Sequence, residues 1–419
     1  MIKEIKSINK SISARIHVPG SKSITNRALI CAALAKGESI IRNASDSNDT
    51  ALMANGLNQL GVLVRKEDDS LLVQGTGGKL FAPKFPIPVG NAGTTLRFLI
   101  SLASLAQGKT VFEGDPRMAE RPIDDLLNSL YALGVKADAL THQSRFMVEG
   151  GTFIGGITNV NAEKSSQFLS SLLMVSPYAK DNVAIHLEGK LSSESYVEMT
   201  LEVMKRFGVE VNRIPGNSFL SQAGQRYKPS EFAVEADASS ASYFFSAAAI
   251  CGGEVFVNGV RRNSLQGDAQ YINILEQMGC QVRERGMELW SNGVLTGVDI
   301  DMNSMPDVVP TLAGVALFAQ TPTRIRNVAH LRHKESDRLQ ALETELRKLG
   351  ANVEAFDDGL KIIPKQLLGA QLTTYDDHRL AMSFALVGLK VPDVKIENPE
   401  CVKKSFPKFW TEFEKLYRD

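Results

Sequence analysis

The sequence predicts an α/β protein of repeated units gathered into two similar domains. Three observations support this. A helix ending in glycine and followed by a strand-like stretch recurs along the chain. The copies are almost evenly spaced. And 419 residues exceed what a single hydrophobic core usually organises. The copies read "LMANGLNQLGVLV", "IDDLLNSLYALGVKA", "VEMTLEVMKRFGVEV", "INILEQMGCQV" and "LQALETELRKLGANV". Their glycines, Gly61, Gly134, Gly208, Gly279 and Gly350, lie 73, 74, 71 and 71 residues apart. Each helix carries apolar residues at helical spacing, and each glycine suits the left-handed position just past a helix end.

Alternating stretches follow these glycines: "VKADA", "VEVNR", "CQVRER" and "NVEAF". A turn and a second strand come next, as in "DDGLKIIP". The C-terminal "HRLAMSFALVGL" and "VKIENPECVKKSFPKFWTEFEKL" read as a sixth, diverged unit. Units of about 70 residues are too large for a thin solenoid, so three units per domain are expected. The polar, aperiodic "SQAGQRYKPSEF" (Ser221–Phe232) reads as the boundary between halves.

Lys plus Arg and Asp plus Glu both number 47, so the formal charge is zero. That excludes a general nucleic-acid or membrane-surface binder. Cys31, Cys251, Cys280 and Cys401 are scattered, with no metal-ligand or redox spacing, as expected for buried thiols in a reducing compartment. The N-terminal "MIKEIKSINKSISARI" has no apolar core of the kind a secretory signal needs, and "LAGVALFA" (Leu312–Ala319) is too short to span a bilayer. A soluble cytoplasmic protein is expected. No metal constellation and no dinucleotide fingerprint is present, so no metal and no cofactor are expected.

Polar chemistry collects in short segments between the repeats. "PGSKSITNRALICAALA" (Pro19–Ala35) has a breaker pair, then Ser21 or Ser23 as a helix cap, then Lys22 and Arg27 flanking a helix N-terminus. Ser23 and Arg27 are four apart and share a face. It is not a nucleotide P-loop, because Ser21 separates Gly20 from Lys22. "GNAGTTLRFLISLASLA" repeats the logic with Asn91, Gly93, Thr94, Thr95 and Arg97. "DPRMAERPIDDLL" sets Arg117 and Arg121 four apart, with Pro122 expected to open a helix. "EKSSQFLSSLL" offers Lys164, Ser165, Ser166 and Gln167. "RHKESDRLQAL" offers Lys334, Glu335 and Arg338, the two cations sharing a helical face, and "YDDHRLAMSFAL" offers Asp377, His378 and Arg379. Each alone is an ordinary charged helix start. Recurring in successive units, they point to converging helix N-termini, an electropositive cleft and a small polyanionic substrate. Carboxylates in such surroundings, Asp307 and Glu335, are candidate acid–base groups, although Asp307 also suits a helix cap and Glu335 a salt bridge.

"PGSKSITNRAL", "GNAGTTLRFL", "GDPRMAERPI", "KSSQFLSSLL", "EADASSASYF", "RHKESDRLQAL" and "YDDHRLAMSFAL", in this order over nearly the whole chain, closely resemble the EPSP synthase (3-phosphoshikimate 1-carboxyvinyltransferase) family of enolpyruvyl transferases. The resemblance implies an inside-out α/β fold. Each domain would hold three βαβαββ units with helices inside, and the active site would lie in the interdomain cleft. The first domain would be 20–232, and the second 1–19 plus 233–419. It implies transfer of the enolpyruvyl group of phosphoenolpyruvate to the 5-hydroxyl of shikimate 3-phosphate, with release of phosphate, in aromatic amino-acid biosynthesis. No nucleic acid or membrane partner is implied, and a monomer is expected.

Carried over by motif, shikimate 3-phosphate would be held by Lys22, Ser23, Arg27, Ser165, Ser166, Gln167, Ser193, Tyr196, Asp307, His330 and Lys334. Phosphoenolpyruvate would be held by Lys22, Gly93, Arg121, Gln167, Arg338, Arg379 and Lys404, with Asn91 and Thr94 shaping its pocket. Lys22, Asp307 and Glu335 would share the proton transfers: Glu335 as acid to the methylene, Asp307 as base to the hydroxyl, Lys22 assisting. Glyphosate would compete with phosphoenolpyruvate, since Gly93 is retained. Phe98 stands where many members have Pro, and His330 where many have Asn, with a pH-dependent hydrogen bond expected of the histidine.

The sister transferase acting on UDP-N-acetylglucosamine is the alternative. It typically carries a reactive Cys ahead of an Arg-Pro pair, and "DPRMAERPIDD" has none. An RNA 3′-phosphate cyclase of similar unit architecture is disfavoured by the neutral charge. A catalytically dead anion binder is disfavoured by the presence of Lys22, Asp307 and Glu335 together.

Overall fold

In the computed structural model the described residues are 1–283 and 287–418. The strand expected at "CQVRER" is present as Gln281–Arg283, while 284–285, like residue 419, lie outside the described residues. The described helices are α1 (Lys22–Leu34), α2 (Asn48–Gln59), α3 (Gly93–Ala103), α4 (Pro116–Glu120), α5 (Asp124–Ala132), α6 (Gln167–Val175), α7 (Glu194–Arg206), α8 (Ala238–Cys251), α9 (Tyr271–Gln277), α10 (Val309–Ala316), α11 (Arg338–Lys348), α12 (His378–Gly388) and α13 (Phe409–Phe413). None is long and apolar enough to cross a membrane.

The chain divides into two compact units. One is Gly20–Val234; the other joins Met1–Pro19 to the chain from Glu235 onward. Five sheets share one strand order, a parallel pair extended by an antiparallel hairpin. In the continuous unit the orders are Glu231–Ala233, Lys36–Arg42, Ser70–Thr76, Leu63–Glu67; then Ile87–Gly90, Ala106–Gly114, Arg145–Gly150, Lys136–Leu140, with the short Leu80–Phe81 also parallel to Ala106–Gly114; then Gly156–Asn161, Val183–Glu188, Ser218–Ser221, Asn212–Ile214. In the other unit they are Ile12–Ile16, Gly253–Val257, Glu288–Ser291, Gln281–Arg283 and Asp299–Asp301, Thr323–Arg326, Gly359–Ile363, Asn352–Phe356. The sixth sheet pairs Gln371–Leu372 with Lys395–Glu397 in parallel and is completed by the N-terminal strand Ile2–Glu4.

Five units follow a βαβαββ pattern with helices inside, and the sixth keeps a parallel pair and a single added strand in place of the hairpin. In α8, α10 and α12 every residue is buried, and in α1, α3 and α6 nearly every one is. A helix apolar and small-residued on all sides must be enclosed on all sides. The α8 sequence "ASSASYFFSAAAIC" fits this because its hydroxyls bond locally: Ser242 Oγ donates to the Ser239 carbonyl at 2.6 Å, and Ser246 meets the Tyr271 hydroxyl at 2.7 Å. The outer helices α2, α5, α7, α9 and α11 bury one side only. Each is followed, after one capping residue, by the repeat glycine, with φ of 94°, 88°, 84°, 114° and 80°. One left-handed residue at each site lets the chain leave the helix and enter the next strand.

The segment 221–232 is not loose. Tyr227 is buried, stacks on Tyr178 at 6.0 Å and donates from its hydroxyl to the Met174 carbonyl at 2.8 Å. Phe232 stacks on Phe207 at 5.6 Å. Two buried aromatics bind this polar stretch to the continuous unit, and the division falls past it, at Val234–Glu235.

Two strands sit in sheets remote from their sequence neighbours. Ile12–Ile16 precedes α1 but pairs with Gly253–Val257; Glu231–Ala233 precedes α8 but pairs with Lys36–Arg42. The first crossing is at Pro19–Gly20. A Cβ on Gly20 would lie 1.7 Å from the Asn43 carbonyl oxygen, and this is backbone, which cannot swing away. We expect Gly20→Ala to destabilise the protein by about 3 kcal/mol, read as a lower denaturant midpoint at unchanged slope. A midpoint equal to the parent's would refute the close approach.

Candidate active site

In the continuous unit the polar segments meet at helix N-termini. Ser21, not Ser23, caps α1, accepting from the Ile24 amide at 3.5 Å. This places Lys22 at the first helical position, where its Nζ meets Asp49 Oδ2 at 2.8 Å. Asp49 is buried in the first turn of α2, and its carbonyl accepts from Thr95 Oγ1 of α3 at 3.1 Å. Arg27 is fully buried one turn below Ser23. Its Nε donates to Thr200 Oγ1 at 2.7 Å, Nη1 to the Ser23 carbonyl at 2.9 Å and Nη2 to the Tyr196 carbonyl at 3.1 Å. Burial pushes Arg27 down to about 10, against the pull of Tyr196 and Cys31, and it stays charged at neutral pH. Phe98 is buried beneath this guanidinium, ring centre 5.3 Å away.

Arg121 and Arg97 flank Gly93. Arg121 Nη1 donates to the Asn91 carbonyl at 2.9 Å and to its Oδ1 at 3.0 Å. Arg97 donates to Gln167 Oε1 and to the Pro122 carbonyl, both at 2.7 Å. Pro122 therefore does not open α5, which begins at Asp124 after Ile123; its carbonyl instead anchors Arg97. Arg117, expected beside Arg121, turns outward to an exposed pair with Glu120. The N-cap residues of α3, α6 and α7 make no side-chain cap, while Ser165 Oγ accepts from the Gln167 amide at 3.3 Å; the residues at these starts are Gly93 and Thr94, Ser165, Ser166 and Gln167, and Ser193 and Tyr196. Ser165, Ser166 and Ser193 are buried, Ser193 in a left-handed conformation with φ 54°.

The second unit has its own cluster, centred on Arg338 at the start of α11. Arg338 is 1% exposed. Nη1 donates to Asp307 Oδ1 at 3.0 Å, Nη2 to Glu335 Oε2 at 3.0 Å and Nε to Asp377 Oδ2 at 2.8 Å. Arg379 Nη2 takes the other Asp307 oxygen at 2.8 Å, and its Nη1 reaches the Tyr243 hydroxyl at 3.4 Å. Asp377 caps α12 through the Arg379 amide at 2.9 Å and accepts from Ser336 Oγ at 3.1 Å. Asp307 lies in the short turn Pro306–Val308 ahead of α10. Burial opposes its ionisation, but Arg379, Arg338 and Lys334 outweigh that and hold its carboxyl far below the usual carboxylate range.

The structure pairs Arg338 and Arg379 with carboxylates of their own unit, which offsets the cost of burying these two guanidiniums. Lys334 is not on the Arg338 helix face; it ends the turn Ala329–His333 in an extended conformation, and Asp337 caps α11. Lys404 closes the turn Pro399–Lys404. His330 is buried, and burial first, then Lys334, push its imidazole down to about 3 against Asp307, so it is neutral near pH 7. Asp49 and Tyr243 were missed: Asp49 looks like an ordinary first-turn acid in "SNDT", and Tyr243 like a core aromatic in "SASYFF".

The model of the family described as EPSP synthase (3-phosphoshikimate 1-carboxyvinyltransferase) matches residues 6–413. The chain belongs to the EPSP synthase family. The 3-phosphoshikimate 1-carboxyvinyltransferase of Trichormus variabilis is 45% identical over 419 residues, covering 98% of each chain. That of Syntrophobacter fumaroxidans is 45% identical over 423 residues, covering 99% of this chain and all of the relative. An EPSP synthase from Acinetobacter baumannii superposes with a TM-score of 0.81 at 25% identity, over 99% of this chain and 98% of that one. The enolpyruvyl transferase NikO from Streptomyces tendae shares the fold, with a TM-score of 0.79 at 16% identity over 100% and 97% of the chains.

His330, where many family members carry Asn, gives a sign-definite test. Its unfolded value is 6.5 and its folded value about 3, so its contribution to stability is present above about 6.5 and is lost as the pH falls toward 3. From about pH 7 to about pH 5 the denaturation midpoint of the parent should fall more than that of His330→Asn. Parallel curves would count against a neutral, buried imidazole.

Proposed function

We propose that this chain transfers the enolpyruvyl group of phosphoenolpyruvate to the 5-hydroxyl of shikimate 3-phosphate, releasing phosphate. In a member of this family, the observation that carries the reading is the joint grip of Arg338 and Arg379 on Asp307. Two guanidiniums held on one carboxylate form a ready seat for an anion that can displace it. Four buried cysteines without disulfides support a reducing, cytoplasmic setting.

Shikimate 3-phosphate is assigned to Lys22, Ser23, Arg27, Ser165, Ser166, Gln167, Ser193, Tyr196, Asp307, His330 and Lys334. The starts of α6 and α7 and the cations at α1 suit a phosphate. Phosphoenolpyruvate is assigned to Lys22, Asn91, Gly93, Thr94, Arg121, Gln167, Arg338, Arg379 and Lys404. Its anionic groups take the arginine donors now held by Asp307 and Glu335. Asp307, relieved of that grip, regains basicity and accepts the hydroxyl proton. Glu335 donates a proton to the methylene carbon, making the neighbouring carbon electrophilic, and the hydroxyl oxygen bonds to it. The tetrahedral adduct then expels phosphate, which takes the proton held by Asp307, as the added methyl returns a proton to Glu335, so both carboxyl groups regain their starting states. Lys22 neutralises charge developing on the oxygens.

Purified protein should release phosphate from phosphoenolpyruvate with shikimate 3-phosphate and not with UDP-N-acetylglucosamine; the reverse preference would favour the sister transferase. Lys22→Ala should lower turnover about 100-fold or more with the fold intact by circular dichroism. At Gly93 an added Cβ would lie 2.6 Å from Arg121 Nη2, 2.7 Å from its Cζ and 2.8 Å from Arg97 Nη1, so both anchored guanidiniums would have to shift. Gly93→Ala should therefore raise the KM for phosphoenolpyruvate and weaken competitive inhibition by glyphosate. An unchanged inhibition constant would separate Gly93 from that pocket.

A further inference from the structure

The segment Thr373–Asp377 carries more constraint than a connection into α12 needs. The Asp377 amide donates to the Thr374 carbonyl at 2.8 Å, and the two central residues, Tyr375 and Asp376, have φ of 54° and 55°. This is a type I′ turn, which favours glycine or asparagine and which tyrosine enters only at a cost. Side chains hold it on every side. Arg338 and Glu345 are seven residues apart on α11, hence on one face. Glu345, fully buried, accepts the Tyr375 hydroxyl and the Thr373 amide, both at 2.8 Å, and Lys348 Nζ at 2.7 Å. Arg338 holds the far end through Asp377. Asp376 Oδ1 accepts from Asn398 Nδ2 at 2.9 Å, and Asn398 begins the turn that ends at Lys404.

We propose that the Thr374–Asp377 turn is a positioning element that sets Arg338, Arg379 and Lys404 for the anionic groups of phosphoenolpyruvate, with Glu345 and Tyr375 as positioning residues that touch no substrate. This rests on the assignment of those three cations to phosphoenolpyruvate. The turn joins their three segments: α11 through Glu345 and Asp377, α12 through the Asp377 cap, and the Lys404 turn through Asp376. Strain in the turn is kept because releasing it would let the three move independently.

Tyr375→Phe removes only the hydroxyl bond. We expect the KM for phosphoenolpyruvate to rise about fivefold, with kcat and the KM for shikimate 3-phosphate within about twofold of the parent. Glu345→Gln, which keeps an acceptor for the hydroxyl, should shift it less than Glu345→Ala. Hydrogen exchange at the Nε–H of Arg338 and Arg379, followed by nitrogen-15 spectra, should quicken in Tyr375→Phe, and this readout needs no turnover. A lower melting temperature with both KM values and both exchange rates unchanged, or an equal rise in both KM values, would overturn the proposal. A parent inactive with shikimate 3-phosphate would sink the functional reading instead, and the arginine exchange rates would then decide on the turn alone: quickened exchange supports it and unchanged exchange refutes it.

Discussion

Arg338 is the charge on which the second unit depends. A guanidinium removed from water is tolerable only when its donor directions meet acceptors, and here they meet carboxylates from three chain segments. That requirement explains why Asp307 is kept ionised although buried, why Asp377 both caps α12 and faces α11, and why Arg379 lies within reach of the same Asp307. Removing one member would strand the others. The first unit solves the same problem with a single pair, Lys22 and Asp49, and with backbone carbonyls around Arg27.

The two units use one framework differently. Asp49 sits in the first turn after the strand Lys36–Arg42, and Asp268 sits in the turn after the corresponding strand Gly253–Val257. Where α1 carries Lys22 after its cap, α8 carries Ala238 after Asp237. Asp268 accepts from the Ser239 hydroxyl, and burial first, then the charge of Asp307, push it up to about 7 against Arg379. The duplicated position has become a neutralisable acid in one unit and a fixed counter-ion in the other.

What could be read in the sequence follows from range. The repeat glycines were legible because a left-handed residue past a helix is a local demand with one common solution, and the "SKSITNR", "NAGTTLR" and "KSSQ" segments were legible because each is a helix start. Pairings over long separations were not. Nothing in "NDT" says that Asp49 faces Lys22, and nothing in "PIDD" says that the Pro122 carbonyl is taken by Arg97, which moves the helix start to Asp124. The stretch 221–232 misled because two aromatics outweigh ten mostly polar neighbours. The crossing at Pro19–Gly20 became visible through family resemblance and not through periodicity.

The exchanged strands have a consequence for the order in which the protein can be made. The unit Gly20–Val234 is one continuous stretch, and every sheet in it closes once residue 234 has emerged from the ribosome. The other unit owns residues 1–19, yet Ile12–Ile16 must wait for Gly253–Val257, and Ile2–Glu4 for Lys395–Glu397. Strands translated ahead of the continuous unit are therefore placed only after it. While the intervening residues are made, Ile2–Glu4 and Ile12–Ile16 stay unpaired beside a finished unit, a state whose exposure to misassociation grows with translation time.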